Sequence, residues 1–475
     1  KLFSVSVAGM ERSLSALSAS GSTPANVGHM SWRDASWVML ADVVGTSILT
    51  FSFVAAQLGS VITVVLMVAC CAFAVYTALL MCRTHGILRR KGIYATSMGE
   101  AARHTLGGDA SAMFVFAIVY GYAFLGNSTY VLVLGQALQG VLHNFELCLP
   151  QAVAVSAVCC WPFVCVVRNL QESTTLCFAN LIVLVGVVVL VLGSLVLQGR
   201  APGVHAPFVA DHLSFSSFFG ASTNILYGYA GHWLYFELMT EMEKPEEFMK
   251  VFGINAPVQL AAYILTSMLA YYYVGNAAQS SGLLFAMPQS VWFSVASFLL
   301  FAHVIVVFLI KTVVLTRFAV SHFSPGSEKS SKLRDRLIYA GWATVVLVVG
   351  SLAALAIPFF SQFLGLIGGL FAAPISYLFP VLFYCGAVGR TTPEQEDAWS
   401  MPMTSMDGTA DDVAVDKFVW GNVRRIPRTA RFGFLLILAV VAVVAVAGTI
   451  SEIRSIIQAV GTEGAPLSCQ LLHPG

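Results

Sequence analysis

Apolar residues in this chain come in runs too long for a soluble core, separated by short polar stretches. Eleven mostly apolar segments occupy approximately 35–58, 60–82, 111–141, 150–167, 174–198, 214–240, 251–274, 290–320, 337–359, 362–386 and 430–449. A helix needs about 20 such residues to cross the hydrocarbon of a bilayer. The pattern predicts an all-α polytopic membrane protein with eleven transmembrane helices. Residues 1–31 are rich in Ser, Gly and Ala and lack an apolar h-region, so a disordered tail is expected there rather than a signal peptide. Because residue 1 is Lys and not Met, some N-terminal sequence is expected to be missing. The transmembrane domain is expected over 32–455, with a short tail over 456–475.

Two spans are interrupted by glycine at matching places, five spans apart. The first reads Leu40-Ala41-Asp42-Val43-Val44-Gly45-Thr46-Ser47-Ile48-Leu49, and the sixth reads Asn224-Ile225-Leu226-Tyr227-Gly228-Tyr229-Ala230-Gly231-His232. A helix that loosens inside lipid strands N–H and C=O groups, each costing several kcal/mol if unpaired. Such breaks persist where the freed groups face protein, water or a bound solute, and a matched pair is a pointer to a solute site. Five is an odd number, so a second five-span unit is automatically inverted relative to the first. Spans over 35–198 and 214–386 are expected to form a 5+5 inverted repeat, with 430–449 as an extra helix. The glycines alone are equally readable as packing notches, because glycine is common in membrane helices.

Composition sharpens this picture. Hydrophobic residues make up 57% of the 475 and charged residues 10%, against roughly 25% charged in soluble domains. A net charge of +1 argues for neither a nucleic acid nor an acidic substrate. The distribution of charge is more informative than its sum. With the N-terminus in the cytoplasm, every Lys and Arg except Arg200 and Arg454 falls on the cytoplasmic side. That asymmetry supports both the span count and the orientation. Inside the spans, charge concentrates at Asp42, Glu237, Lys311 and Arg317, in spans one, six and eight. Intramembrane charge is expensive and marks function more often than structure.

The ten cysteines suggest neither a metal site nor a disulfide framework, since most lie in apolar runs where cysteine acts as a small hydrophobe. Cys148 and Cys469 fall on the same expected side, where a disulfide between them is open. No Walker loop, HExxH or spaced His/Cys cluster points to an enzyme, and no cofactor is expected. The loops 83–110 and 387–429 are cytoplasmic and too small for a catalytic domain.

The residues around the breaks resemble the amino acid/auxin permease family. Gly231-His232-Trp233-Leu234-Tyr235-Phe236-Glu237-Leu238 followed by Pro245-Glu246-Glu247-Phe248 is similar to its span-six signature. Gly45-Thr46-Ser47-Ile48-Leu49 with Ala56-Gln57-Leu58-Gly59 looks like its first helix. Pro358-Phe359-Phe360, Leu364-Gly365-Leu366-Ile367-Gly368-Gly369, Pro374 and Phe379-Pro380-Val381-Leu382-Phe383-Tyr384 match its tenth. The likeness covers about 31–455 and departs at Asp42, where the family has a small neutral residue, and at Lys311. It implies a LeuT-like fold of eleven helices with helices one and six broken. It also implies a secondary transporter of amino acids working by alternating access, with the substrate at the midplane between spans one, three, six and eight.

Particular residues then acquire expected roles. The N–H groups of Gly45, Thr46 and Ser47 present a positive dipole end suited to a carboxylate. Tyr227, Gly228, Tyr229 and Ala230 offer carbonyls to an ammonium; tight helix crossing is the competing reading. In span three, Tyr120, Tyr122 and Asn127 are polar candidates, with Tyr120 placed nearest the middle of one face, although aromatic residues there more often serve packing. Asp42, one turn before the break, is a candidate proton carrier. His232 is a candidate for the same proton or a core histidine bracing the break, and His303 is a weaker one. Glu237 is expected to tether the inner gate. Lys311 can snorkel or can place its ammonium where sodium-coupled relatives hold an ion.

The sequence thus leads to the expectation of a proton-coupled symporter of neutral amino acids. A sodium-coupled or auxin-like carrier of the same fold, or an amino-acid sensor without transport, is the alternative. Its partners are the small-molecule substrate and the bilayer, with no nucleic acid and an oligomeric state that is open, a monomer included. The expected location is the plasma membrane or a vacuolar or lysosomal-type membrane, C-terminus outside or lumenal.

Overall fold

A computed structural model describes residues 30–145, 147–168, 173–200, 202–278, 282–324, 332–390, 424, 426–463 and 467. The expected tail over 1–29, most of the 387–429 loop and Cys469 lie outside these residues. Cys148 is disulfide-bonded, so the expected pairing with Cys469 falls on a residue that is not described. Among the described residues the chain is helical, and ten helices are long and apolar enough to cross a membrane. The remaining expected span, 214–240, is divided into helices Phe215–Gly228 and Tyr235–Glu241, each too short to cross by itself.

Helix starts follow the chain's polar punctuation. Ser31 and Ser97 cap Trp32–Val43 and Met98–Ala102 by accepting the N–H three residues on, and Ser214 and Ser290 do the same for Phe215–Gly228 and Val291–Phe323. Two helices run past their expected ends. Span two continues to Arg90 and span eleven to Glu463. Hydropathy stops at the first charges, but backbone hydrogen bonding continues into the interface, where Arg89 and Arg90 also meet the negative end of the helix dipole. Residues 456–463 therefore belong to the last helix and not to a tail.

Span one lies inside the bundle, with 83% of its most apolar window buried against 17% for span eleven, which lines the periphery. Span one packs on spans five and seven, span three on span eight, and Phe215–Gly228 on spans ten and eleven. Loop contacts fall into two groups. At one end, Met30 exchanges backbone hydrogen bonds of 3.0 Å with Glu241 and Glu243. There too, Arg168 bonds Asp335 at 2.8 Å, Arg317 bonds the Arg168 carbonyl at 2.7 Å, and Lys91 bonds the Arg390 carbonyl. At the other end, Ala210 N–H donates to Leu58 at 3.2 Å, Asn276 N–H to His205 at 3.0 Å, and Ser294 pairs with His143 at 3.1 Å. Loops therefore pair with loops an even number of spans away, as consecutive crossings require. The first group carries most of the Lys and Arg and is called the basic end.

The longer last helix also brings Glu452 into the bundle. Its carboxylate is buried and lies over Gly220 of span six and Gly365 of span ten. A Cβ on Gly365 would overlap that carboxylate. Alanine in place of glycine ordinarily strengthens a helix by about 1 kcal/mol. Gly365→Ala is instead expected to destabilise by roughly 1–3 kcal/mol through overpacking. Gly341→Ala, where nothing lies within 4 Å of the new methyl, is the control and is expected to be neutral or stabilising. Thermal melting of the detergent-solubilised variants measures both, and an unchanged Gly365→Ala would contradict the packing described.

Candidate solute cavity at the two helix breaks

Span one is helical over Trp32–Val43, turns out of the helix at Val44 and Gly45, and resumes as a 3-10 turn over Thr46–Thr50 before Phe51–Leu58. Gly45 has φ −109° and ψ −154°, an extended conformation open to any residue. Its value lies in space, since a Cβ there would meet only the Asp42 carbonyl at 3.7 Å and the Tyr130 hydroxyl at 3.9 Å. Span six is helical over Phe215–Gly228, opens across 229–231, and resumes as a 3-10 turn over His232–Leu234 and a helix over Tyr235–Glu241. Gly228 and Gly231 are packed tightly, their Cβ positions lying 2.7 Å from Phe51 Cζ and from Val43 Cγ2. Side chains of span one therefore touch both edges of the break in span six.

The freed carbonyls are bound by span seven and span three. Tyr263 Oη lies 2.8 Å from the carbonyls of both Val43 and Gly228, one from each break. Gln259 Nε2 donates to the same Gly228 carbonyl at 3.0 Å and to Tyr263 Oη at 3.3 Å. A phenol has a single proton. With Gln259 serving Gly228, that proton can serve Val43. Tyr122 Oη donates to the Ala230 carbonyl at 3.2 Å. Beyond the breaks, Thr50 Oγ1 donates to Asn224 Oδ1 at 3.0 Å, and Asn224 Nδ2 donates to the Ser361 carbonyl at 2.8 Å, joining spans one, six and ten. The N–H groups of Thr46 and Ser47 begin a helical turn and so have no carbonyl one turn back.

Between the breaks is a small cavity lined by Asp42, Val43, Gly45, Thr46, Ser47, Tyr122, Tyr130, Tyr227, Ala230 and Lys311. Lys311 is 4% exposed, and its Nζ lies 4.9 Å from the ring centroid of Tyr130, 5.5 Å from Trp233 and 5.7 Å from Tyr122. Ring faces attract a cation at these distances, an attraction that grows when the cation is desolvated. Gly126 makes room for this arrangement, since a Cβ there would meet Tyr227 Oη at 3.4 Å and Lys311 Nζ at 3.8 Å. Across the cavity, Asp42 Oδ2 accepts a 2.9 Å hydrogen bond from Trp233 Nε1. Asp42 and Lys311 face one cavity without being ion-paired to each other.

The expected site residues thus separate. Gly45, Thr46, Ser47, Tyr227, Ala230, Asp42 and Lys311 line the cavity. The Gly228 carbonyl borders it but is held by Gln259 and Tyr263. Tyr229 turns its ring against Tyr263 at 5.4 Å, and its buried hydroxyl has no partner. Tyr120 stands elsewhere, stacked on Phe318 at 3.6 Å, and Tyr122 takes the place expected for it. Asn127 bonds Thr312 of span eight at 3.0 Å. His232 points away, its Nε2 within 2.9 Å of Thr77 Oγ1 and 3.2 Å of the Ala74 carbonyl in span two. His303 bonds the Asn180 carbonyl of span five at 3.2 Å. Each histidine joins its own span to a neighbouring one through a single ring nitrogen. Glu237 lines a second small cavity with Ser97, Met98, Tyr120 and Trp233.

Sequence reading passed over Tyr130, Trp233, Tyr263 and Gln259. Tyr122, Gly126 and Tyr130 are spaced i, i+4, i+8, the signature of one helix face, so Tyr130 was within reach of that signal. Tyr263 and Gln259 share the same spacing in span seven, but nothing in the sequence says that their face meets the breaks.

Tyr263→Phe removes the hydroxyl donor from the Val43 carbonyl, which keeps a 2.9 Å hydrogen bond from Gly45 N–H. Losing one such bond costs about 0.5–1.5 kcal/mol, so the variant is expected to melt lower by that amount. Gln259→Leu should cost less by itself, because Tyr263 can then serve Gly228, and the double variant should be non-additive. Strict additivity in the melting energies would contradict a shared network.

Residues 28–406 match the family described as transmembrane amino acid transporter protein. Over 178 residues the chain is 28% identical to the N amino acid transport system protein of Neurospora crassa, a match covering 37% of each protein. It is 27% identical over 204 residues to auxin transporter-like protein 3 of Medicago truncatula, covering 42% of each. It is 23% identical over 167 residues to amino acid transporter AVT1E of Arabidopsis thaliana, covering 35% of this chain and 31% of that one. The chain thus spans less than half the length of the curated relatives it matches. The family match, unlike these partial ones, runs across most of the chain and over both helix breaks, and on that ground the chain belongs to the transmembrane amino acid transporter protein family.

Proposed function

We propose that this chain is a secondary transporter that moves neutral amino acids by alternating access, in symport with a proton. The observation that carries the reading is the pair of opposite charges, Asp42 and Lys311, facing one cavity at the meeting of two broken helices. An amino acid is a zwitterion, and such a cavity offers each of its ends a counterpart. The α-carboxylate takes the N–H groups of Thr46 and Ser47 at the positive end of the 3-10 turn, with the Lys311 ammonium beside them. The α-ammonium takes the Ala230 carbonyl and its neighbours at the span-six break. The hydroxyls of Tyr122, Tyr130 and Tyr227 surround the rest.

The wider architecture in this proposal is an eleven-helix LeuT-like bundle of two inverted five-span repeats, with the N-terminus cytoplasmic. The paired breaks in spans one and six and the alternation of loop contacts support it. Glu237 lies toward the basic end, in keeping with an inner-gate role.

Two residues set the driving ion. Lys311 places its ammonium in an aromatic cage, a cation in the cavity that supports coupling without sodium. Asp42 takes the proton. Empty, the cavity carries one negative and one positive side chain. Loaded with a zwitterion and a proton on Asp42, it carries one net positive charge, so uptake moves charge inward. The carrier of an auxin-like acid is the second reading, which the names of some relatives suggest. Such an acid has no ammonium to set against the span-six carbonyls.

Proteoliposomes tested with the twenty amino acids, with and without a pH gradient, distinguish these readings. The expected result is gradient-driven accumulation of neutral amino acids, unchanged when potassium replaces sodium and accompanied by inward current. Asp42→Asn is expected to keep exchange of labelled for unlabelled amino acid but lose accumulation driven by the pH gradient. Exchange with none of the twenty would overturn the transport reading. Sodium dependence would overturn the role given to Lys311.

A further inference from the structure

We propose that Trp233 is the gate between the central cavity and the second cavity at the basic end, held shut by its hydrogen bond to Asp42. The linings of the two cavities share no residue, and a hydrogen bond from Trp233 of the second to Asp42 of the first joins them. The indole lines the second cavity beside Glu237, while its Nε1–H reaches 2.9 Å to Asp42 in the first. Its ring face lies 5.5 Å from Lys311 Nζ and its centroid 6.5 Å from that of Tyr122. Trp233 is 6% exposed, lining the second cavity with its ring while its N–H reaches a residue of the first.

The backbone beneath it is suited to movement. Trp233 sits in the 3-10 turn His232–Leu234, directly after the opened stretch 229–231 and before the helix Tyr235–Glu241. A 3-10 turn has poorer hydrogen-bond geometry than an α-helix and is frequent at hinges. Movement here is bounded on one side by His232, bonded to Thr77 and Ala74 of span two. The turn carrying Trp233 and the short helix carrying Glu237 can swing about that point without disturbing the carbonyls held by Tyr263.

The latch is sensitive to the charge on Asp42. A hydrogen bond to a carboxylate is roughly twice as strong as one between neutral groups, so a proton on Asp42 loosens the indole. The titratable groups facing Asp42 are Lys311 from span eight, the phenols of Tyr122 and Tyr130 from span three, Tyr227 and Tyr235 from span six and Tyr263 from span seven, and, beyond the indole, Glu237. Span five, which also packs on Trp32–Val43, brings no charged side chain. Asp42 is therefore the group in this shell whose neutralisation acts directly on Trp233. The inference rests on the transport reading for its purpose, but its test needs no cargo.

Val43, which lines the central cavity, is replaced by Cys as a reporter. Its modification by a membrane-impermeant thiol reagent is followed from the side bearing Ser97 and Met98, and the labelling of the parent chain is subtracted. With Trp233 present, labelling at neutral pH is expected to be slow and to quicken as the pH is lowered. Trp233→Ala should raise the neutral-pH rate by about tenfold or more, the factor carried by a lost hydrogen bond to a charged group, and should remove the pH response. Trp233→Phe keeps a ring but lacks the N–H, so it should give a smaller rise and likewise lose the pH response. If Trp233→Ala does not assemble, Trp233→Phe decides. A rate and pH response unchanged from the Trp233 parent in a variant that elutes as a normal monodisperse species would overturn the gate, whatever any amino acid does. If the gate behaves as expected but none of the twenty amino acids alters labelling, the gate stands and the cargo reading falls.

Discussion

An interrupted helix in a bilayer has nowhere to put its backbone hydrogen bonds, and the rest of this structure follows from how that need is met. Water cannot supply the donors, and lipid has none. Here a tyrosine hydroxyl, Tyr263 Oη, stands 2.8 Å from a freed carbonyl of each break, with Gln259 backing it one turn away. Spans one and six are thereby locked to span seven and to each other. What the lock leaves unmet are the N–H groups at the start of the 3-10 turn after Gly45, while the Ala230 carbonyl holds one donor, Tyr122, and has a second lone pair to offer. Both face the same small cavity. In the proposed reading, a solute site follows from incomplete satisfaction at two places that had to meet.

Charge is managed by the same economy of neighbours. Lys311 is buried in span eight with three aromatic rings around its ammonium, an arrangement that holds a cation without an anion to neutralise it. Asp42 is held by an indole N–H and not by that lysine. Keeping the two apart leaves a cavity that is overall neutral yet strongly polarised. If they were ion-paired, a zwitterionic solute would have to compete with a bond already made. The same indole that holds Asp42 also closes the way to the second cavity, so the charge state of one carboxylate bears on the path as well as on the site.

Much of this was legible in the sequence. Hydropathy located the spans, and the glycines marked both breaks. Asp42 and Lys311 stood out because charge is costly in lipid. What escaped depends on angle and on distant partners. Tyr120 and Tyr122 differ by two residues, yet on a helix that turns one toward Phe318 and the other into the cavity. His232 and Trp233 are adjacent, but the tight turn that carries them aims one at span two and the other at Asp42. Titratable character favoured His232 in the sequence, whereas position favours Trp233. Tyr263 lies far from both breaks along the chain, and its role comes wholly from the packing of span seven against span one. Helix ends ran long because hydrogen bonding is indifferent to the charge that ends a hydropathy window.

The central claim is that the two breaks form one amino-acid cradle. A structure of the protein determined by electron cryomicroscopy with a bound neutral amino acid tests it most directly. The account predicts density in the cavity with the carboxylate at hydrogen-bonding distance from the N–H groups of Thr46 and Ser47 and the ammonium at the Ala230 carbonyl. Bound solute lying elsewhere in the bundle, with both breaks and the Asp42–Trp233 bond unaltered, would contradict it.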